Sequence, residues 1–120
     1  MNATLERPTR TNTERFYPMP VDIYEDASGL VIEAALAGVD PSRVEVALEQ
    51  QRLVVSAPGP AAADGQRYLH NEIFHGHWRR VFNLPEEIDP EGAQATFSNG
   101  LLRLVLPRRA PERKLIPINH

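Results

Sequence analysis

Short runs of alternating apolar and polar residues, cut by Gly, Pro and Asn-Gly, predict an all-β protein. The fold class is an immunoglobulin-like antiparallel β-sandwich of seven or eight strands. Three observations carry this expectation. Period-two runs recur through residues 21–106. Pro is 11 of 120 residues, about twice the ~5% of average usage, so the chain is interrupted too often for long helices. No segment reads as a helix of more than about one turn. A chain of this length makes one domain.

Residues 1–20 are polar, rich in Thr, Arg and Pro, and aperiodic. They predict a flexible N-terminal arm whose apolar residues, Phe16, Tyr17 and Met19, lie near its end. Residues 21–107 form the sandwich. Val21 and Ile23 open the first strand, and a turn at 26–29 follows. Leu30, Ile32, Ala34 and Leu36 mark one face of the second. Gly38 and Pro41 break the chain, and Asp40 is placed to cap a single helical turn beginning at Pro41. Val44, Val46 and Leu48 alternate with Glu45, Ala47 and Glu49 in a half-buried strand. Gln50-Gln51 turns into a strand over 52–57. A loop follows, then a weakly patterned strand over 68–74. Trp78, Phe82 and Leu84 share one face of a strand that Pro85 ends, and residues 86–92 are a loop. Asn99-Gly100 joins the runs 93–98 and 101–106 as a hairpin with a type I′ turn. Residues 108–120 are a C-terminal tail.

The formal charge is -3 and the pI about 5.8, which argues against a nucleic-acid binder. The charge is unevenly spread: +1 over residues 1–20, +3 over 108–120 and -7 between them. An acidic body with basic ends suits tails that touch other copies of the body; ordinary solvation of the ends is the plainer account. No apolar run approaches the ~18 residues of a membrane span, and the N-terminus has no apolar signal core, so the expected compartment is the cytosol.

Little in the chain points to catalysis. There is no Cys. His70, His75 and His77 lie close in sequence, but Gly76 loosens the stretch and no carboxylate completes a metal-ligand spacing, so they read as polar loop residues. Glu86, Glu87 and Asp89 read as solvated charge between two prolines. No Ser stands in a Gly-x-Ser-x-Gly elbow, and no Gly pair has phosphate-loop spacing. Lys114, the only lysine, lies in the tail. The expectation is a non-enzyme with no cofactor and no metal.

The tail carries Leu115-Ile116-Pro117-Ile118. Exposed aliphatic side chains cost solvation unless they dock. Pro117 pre-extends the segment, so Ile116 and Ile118 point to one side as paired anchors. Folding back onto the chain's own sandwich is the alternative.

At these residues the sequence resembles the small heat-shock proteins, the α-crystallin-domain family of ATP-independent chaperones, of bacterial type. The carrying segments are PVDIYEDASGLVIEAALAGVDPSRVEVALEQQRLVVSA, YLHNEIFHGHWRRVFNLPEEIDPEG, ATFSNGLLRLVLP and the tail IPI, in the family's order. The most specific stretch runs from Ala95 to Leu102 and is similar to the signature A-x-x-x-N-G-V-L.

The resemblance implies a sandwich that dimerises through a strand reaching to the partner's sheet, here 68–72 with Tyr68, Leu69, His70 and Glu72. It implies that the tail anchor Ile116, Pro117 and Ile118 docks on another dimer, in a groove between the edge strands 44–48 and 93–98. Alternation lines that groove with Val44, Val46, Ala95 and Phe97. It further implies a holdase that binds partly unfolded client proteins, with Phe16, Tyr17 and Met19 as client contacts, and that self-assembles from dimers. The chain departs from the pattern at Glu72-Ile73, where members often carry Glu-Arg, and its arm is shorter and more polar than in many members. A p23-like co-chaperone sandwich binding one folded partner shares the architecture but has no need of the tail. An enzyme built on the His70, His75 and His77 region is the second rival.

Overall fold

The computed structural model describes residues 16–85, 87–109 and 115–119. Among them, eight strands form two four-stranded sheets. The first sheet has the order β1 (Phe16–Tyr17), β6 (His77–Asn83), β5 (Arg52–Pro58), β4 (Glu45–Glu49). The second has β2 (Val21–Asp26), β3 (Gly29–Ala35), β8 (Leu101–Leu106), β7 (Gln94–Ser98). The class is the predicted all-β sandwich, with two differences in its parts. The segment 68–74 forms no strand within its own chain. Its place in the count is taken by β1, which lies in the segment expected to be an arm and pairs with β6 in parallel.

The core is made by the inward faces of the central strands. Leu53, Val55 and Ala57 of β5 and Phe82 of β6 meet Ile32 and Ala34 of β3 and Leu102, Leu104 and Leu106 of β8, all buried. The period-two spacing that predicted these strands is the spacing that puts their apolar side chains on one face. Edge strands are less covered. Ile23 of β2 pairs with buried Ile32, yet it is 51% exposed because β2 ends its sheet. On the outer face, Tyr24 Oη donates to Glu33 Oε2 at 3.0 Å, and Arg103 sits across from Glu33 at 3.5 Å.

The turns follow their residues. Asn99 and Gly100 have φ of 52° and 77°, as a type I′ turn requires. Gly29 has φ of 127°, and a Cβ there would lie 2.5 Å from the Leu106 carbonyl oxygen, so only glycine lets β3 leave its turn so close to β8. Two Asp-Pro steps start short 3₁₀ turns, Pro41–Arg43 and Pro90–Gly92. Asp40 Oδ1 accepts from the Ser42 amide at 3.0 Å and its hydroxyl at 2.9 Å. These bonds, the backbone one first, hold the Asp40 carboxyl below its ordinary range, so the cap is lost as pH falls through that lowered value. Asp89 caps the second turn through the Glu91 amide, where the sequence had suggested only a loop.

Met19 is a correction. Expected as an exposed client contact, it is 0% exposed and packs in the core. Its carbonyl accepts a hydrogen bond from Arg80 Nη1 at 2.8 Å. Arg80 shares the inward face of β6 with Trp78 and Phe82, and its guanidinium lies over the Phe82 ring. A thioether between two prolines shows no periodicity, so nothing in the pattern marked it as core. Met19→Ala should therefore lower the unfolding free energy by about 2–5 kcal/mol, as for other buried large-to-small changes, measured by urea denaturation. An arm residue would shift it by less than about 0.5 kcal/mol.

Candidate functional site

The two sheets part company where β4 and β7 end them. Between these edges runs an apolar groove of about 250 Å³. Its floor is Leu53, Leu104 and Leu106, all core residues, and its walls are Val46 and Leu48 on one side and Ala93 and Ala95 on the other. Pro90 closes one end. The 3₁₀ turn Pro90–Gly92 delivers the chain to this wall: the Ala93 amide donates to the Pro90 carbonyl, and the Asp89 amide donates to the Pro107 carbonyl at 2.8 Å.

Two of the four predicted groove residues, Val46 and Ala95, line it; Val44 and Phe97 do not. Both are half-buried and pack against the core instead. Alternation assigns a face, not a position along the strand. Val44 precedes β4, and its amide donates to the Pro41 carbonyl at the end of the 3₁₀ turn, which draws it inward. Phe97 sits beside the β7–β8 turn and fills that end of the sandwich. The residues missed are Leu48, Leu53, Leu104 and Leu106. Leu48 was visible as the next same-face position after Val46; the floor was not, because it belongs to other strands. A second cavity of about 220 Å³, lined by Leu84, Pro85 and Ile88 with Gln50, Gln51 and Arg109, shares Leu48 and Pro90 with the groove.

The tail leaves the sandwich from a fixed root. Arg108 bridges to Ile88 and pairs with Glu25, and the Arg109 amide donates to the Glu87 carbonyl. Further out, Leu115, Ile116 and Ile118 are 77%, 75% and 81% exposed, and no described tail residue lines the groove.

Residues 59–76 form a long excursion between β5 and β6. Its base is closed by the Gly59 amide on the Gly76 carbonyl at 2.7 Å and by His75 Nδ1 on the Pro60 carbonyl at 2.7 Å. At its tip Leu69 and Ile73 are exposed, and His70 Nε2 donates to Glu72 Oε2. Tyr68 Oη accepts from the Ala63 amide at 2.7 Å. Of the predicted client contacts, Phe16 and Tyr17 remain half-exposed on β1. Among the described residues no group of three His, Cys, Asp or Glu is placed to hold a metal, and no helix is long and apolar enough to cross a membrane. His120 and the Glu86 side chain lie outside the described residues.

The sequence profile of the Hsp20/alpha crystallin family matches residues 22–119. The chain belongs to that family. It is 31% identical over 110 residues to a probable 15 kDa heat shock protein of Leptospira interrogans, covering 92% of this chain and 85% of that one. Its fold is similar to that of a small heat-shock protein from Xylella fastidiosa, with a TM-score of 0.75, 28% identity, and coverage of 87% of this chain and 98% of the other. A second likeness is to the hspA of Xanthomonas axonopodis, with a TM-score of 0.70, 30% identity and coverage of 78% and 95%. These relatives are heat-shock proteins rather than enzymes, and membership supports a chaperone role.

The position of the groove generates a prediction. Adding a peptide of residues 113–119 should shift the backbone NMR signals of Val46, Leu48, Ala95 and Leu104, leaving Val44 and Phe97 nearly unmoved. Shifts centred on the latter pair would restore the groove that alternation alone suggested.

Proposed function

We propose that this protein is an ATP-independent holdase that binds partly unfolded proteins, prevents their aggregation, and assembles from dimers through its tails. The observation that carries the reading is an open apolar groove on the sandwich together with a tail whose aliphatic residues are exposed. One copy's groove and another copy's tail are chemically matched. Client capture needs exposed apolar surface and no nucleotide. At about 25 cal/mol per Å² of buried apolar area, many weak contacts hold a client without a shaped pocket. Phe16 and Tyr17 are offered as client contacts; Met19, being core, is withdrawn from that role. The exposed stretch with Tyr68, Leu69, His70 and Glu72 is the proposed dimer strand, left without a partner strand in its own chain. Cytoplasmic residence fits this role.

Burying Ile116 and Ile118 contributes roughly 1.5–3 kcal/mol each. Ordering the backbone costs about 1–2 kcal/mol per residue, so a single tail link is weak and larger assemblies need several acting together. Heated model clients should stay in solution when this chain is added without ATP, as read by light scattering. Changing Ile116 and Ile118 both to Gly should leave dimers and remove larger species in native mass measurements. Unchanged aggregation of several unrelated clients would overturn the holdase reading. An unchanged mass distribution in the double variant would remove the tail as the assembly device.

A further inference from the structure

Phe74 stands where the 59–76 excursion meets β1. Its ring packs edge-on against Tyr17 of β1, with centroids 5.0 Å apart and planes at 72°. It also lies against Trp78 of β6, with centroids 4.4 Å apart. Trp78 in turn packs on the core. The same ring therefore holds the end of the 59–76 excursion and the end of the N-terminal segment against one strand.

β1 is also held by its ladder to β6 and by the Phe16 ring against His77, with centroids 5.6 Å apart. β1 is two residues long, at a sheet edge, with Phe16 and Tyr17 56% and 43% exposed. Two residues further on the chain is fixed, since Met19 is fully buried and its carbonyl is bonded to Arg80. Any departure of Phe16 and Tyr17 from β6 therefore takes place about Pro18, with Met19 still in the core. The excursion is pinned at Gly59–Gly76 and Pro60–His75, and beyond Phe74 its residues 61–73 are exposed throughout. Removing Tyr17 takes away one of the two aromatic partners that hold Phe74 down.

We propose that Phe74 is a latch that couples the seating of β1 to the position of the 59–76 segment. When Phe16 and Tyr17 leave β6 to meet a client, Phe74 loses a partner and the segment is released more easily. When the segment is drawn away to a second copy of this chain, β1 is loosened in return, because coupling between two equilibria is reciprocal. This consequence for assembly rests on the reading of 68–72 as the dimer strand. Aromatic pairs of this kind carry an interaction that corresponds to about two- to tenfold in an equilibrium.

The experiment is a double-mutant cycle on the full chain with Tyr17→Ala, Phe74→Ala and both together, and Phe74→Leu as a variant that keeps apolar bulk. Hydrogen exchange is followed in two peptides, one covering β1 and one covering the loop base at Gly59 and Gly76. Subunit exchange is followed by energy transfer between labelled copies. The latch requires that Phe74→Ala speed exchange in β1, that Tyr17→Ala speed it at the loop base, each about two- to tenfold, and that the double variant go no further than the faster single one. Phe74→Leu should fall between. Effects confined to the mutated side, or strictly multiplicative in the double variant, overturn the latch. Reciprocal hydrogen exchange with subunit exchange unmoved upholds the latch and overturns the dimer-strand assignment instead.

Discussion

The inward faces of β5 and β8 are the contact on which the rest of this molecule depends. Leu53, Val55 and Ala57 lie in one core with Leu102, Leu104 and Leu106, and every other element is placed by joining one of these two strands or a neighbour of it. A four-stranded sheet has only two interior strands, so its edges cannot be covered as its centre is. The fold therefore leaves apolar surface at its margins as a direct result of how it is stabilised. Here that surface becomes the groove between β4 and β7, floored by the same leucines that make the core.

Most of the sandwich was legible because a strand with one buried face writes its period into the sequence. β3, β5, β7 and β8 appear within a residue or so of where alternation put them, and Asn99-Gly100 fixed a hairpin through backbone chemistry that few residue pairs tolerate. What was not legible depends on contacts between distant segments. β1 has two residues and no pattern to show. Met19 is held in the core with its carbonyl bonded to Arg80, a contact between distant segments that no local pattern shows. Arg80 did leave a signal: it is the one charged residue between Trp78 and Phe82 on an inward face, and such a residue needs a partner.

The candidate groove was half legible for a related reason. Its walls come from two strands whose faces alternation assigns correctly, so Val46 and Ala95 were found. Its floor and its length along the strands are set by register and by the 3₁₀ turns that enter β4 and β7. Val44 and Phe97 share the right face but belong to the closed end. The excursion 59–76 shows the converse case. Its weak patterning suggested a strand without a home, and within one chain it has none.

The fixed root of the tail has a geometric consequence. Because Arg108 and Arg109 are tied to Ile88, Glu25 and Glu87, the span available to Ile116 begins at Arg109 and not at the end of β8. Seven residues of extended chain reach at most ~25 Å. In an assembly stitched by such tails, a receiving groove must lie within that radius of the donor's root. In such an assembly the tether would act as a ruler, limiting which packings of subunits close into a shell or ring and which leave their tails short.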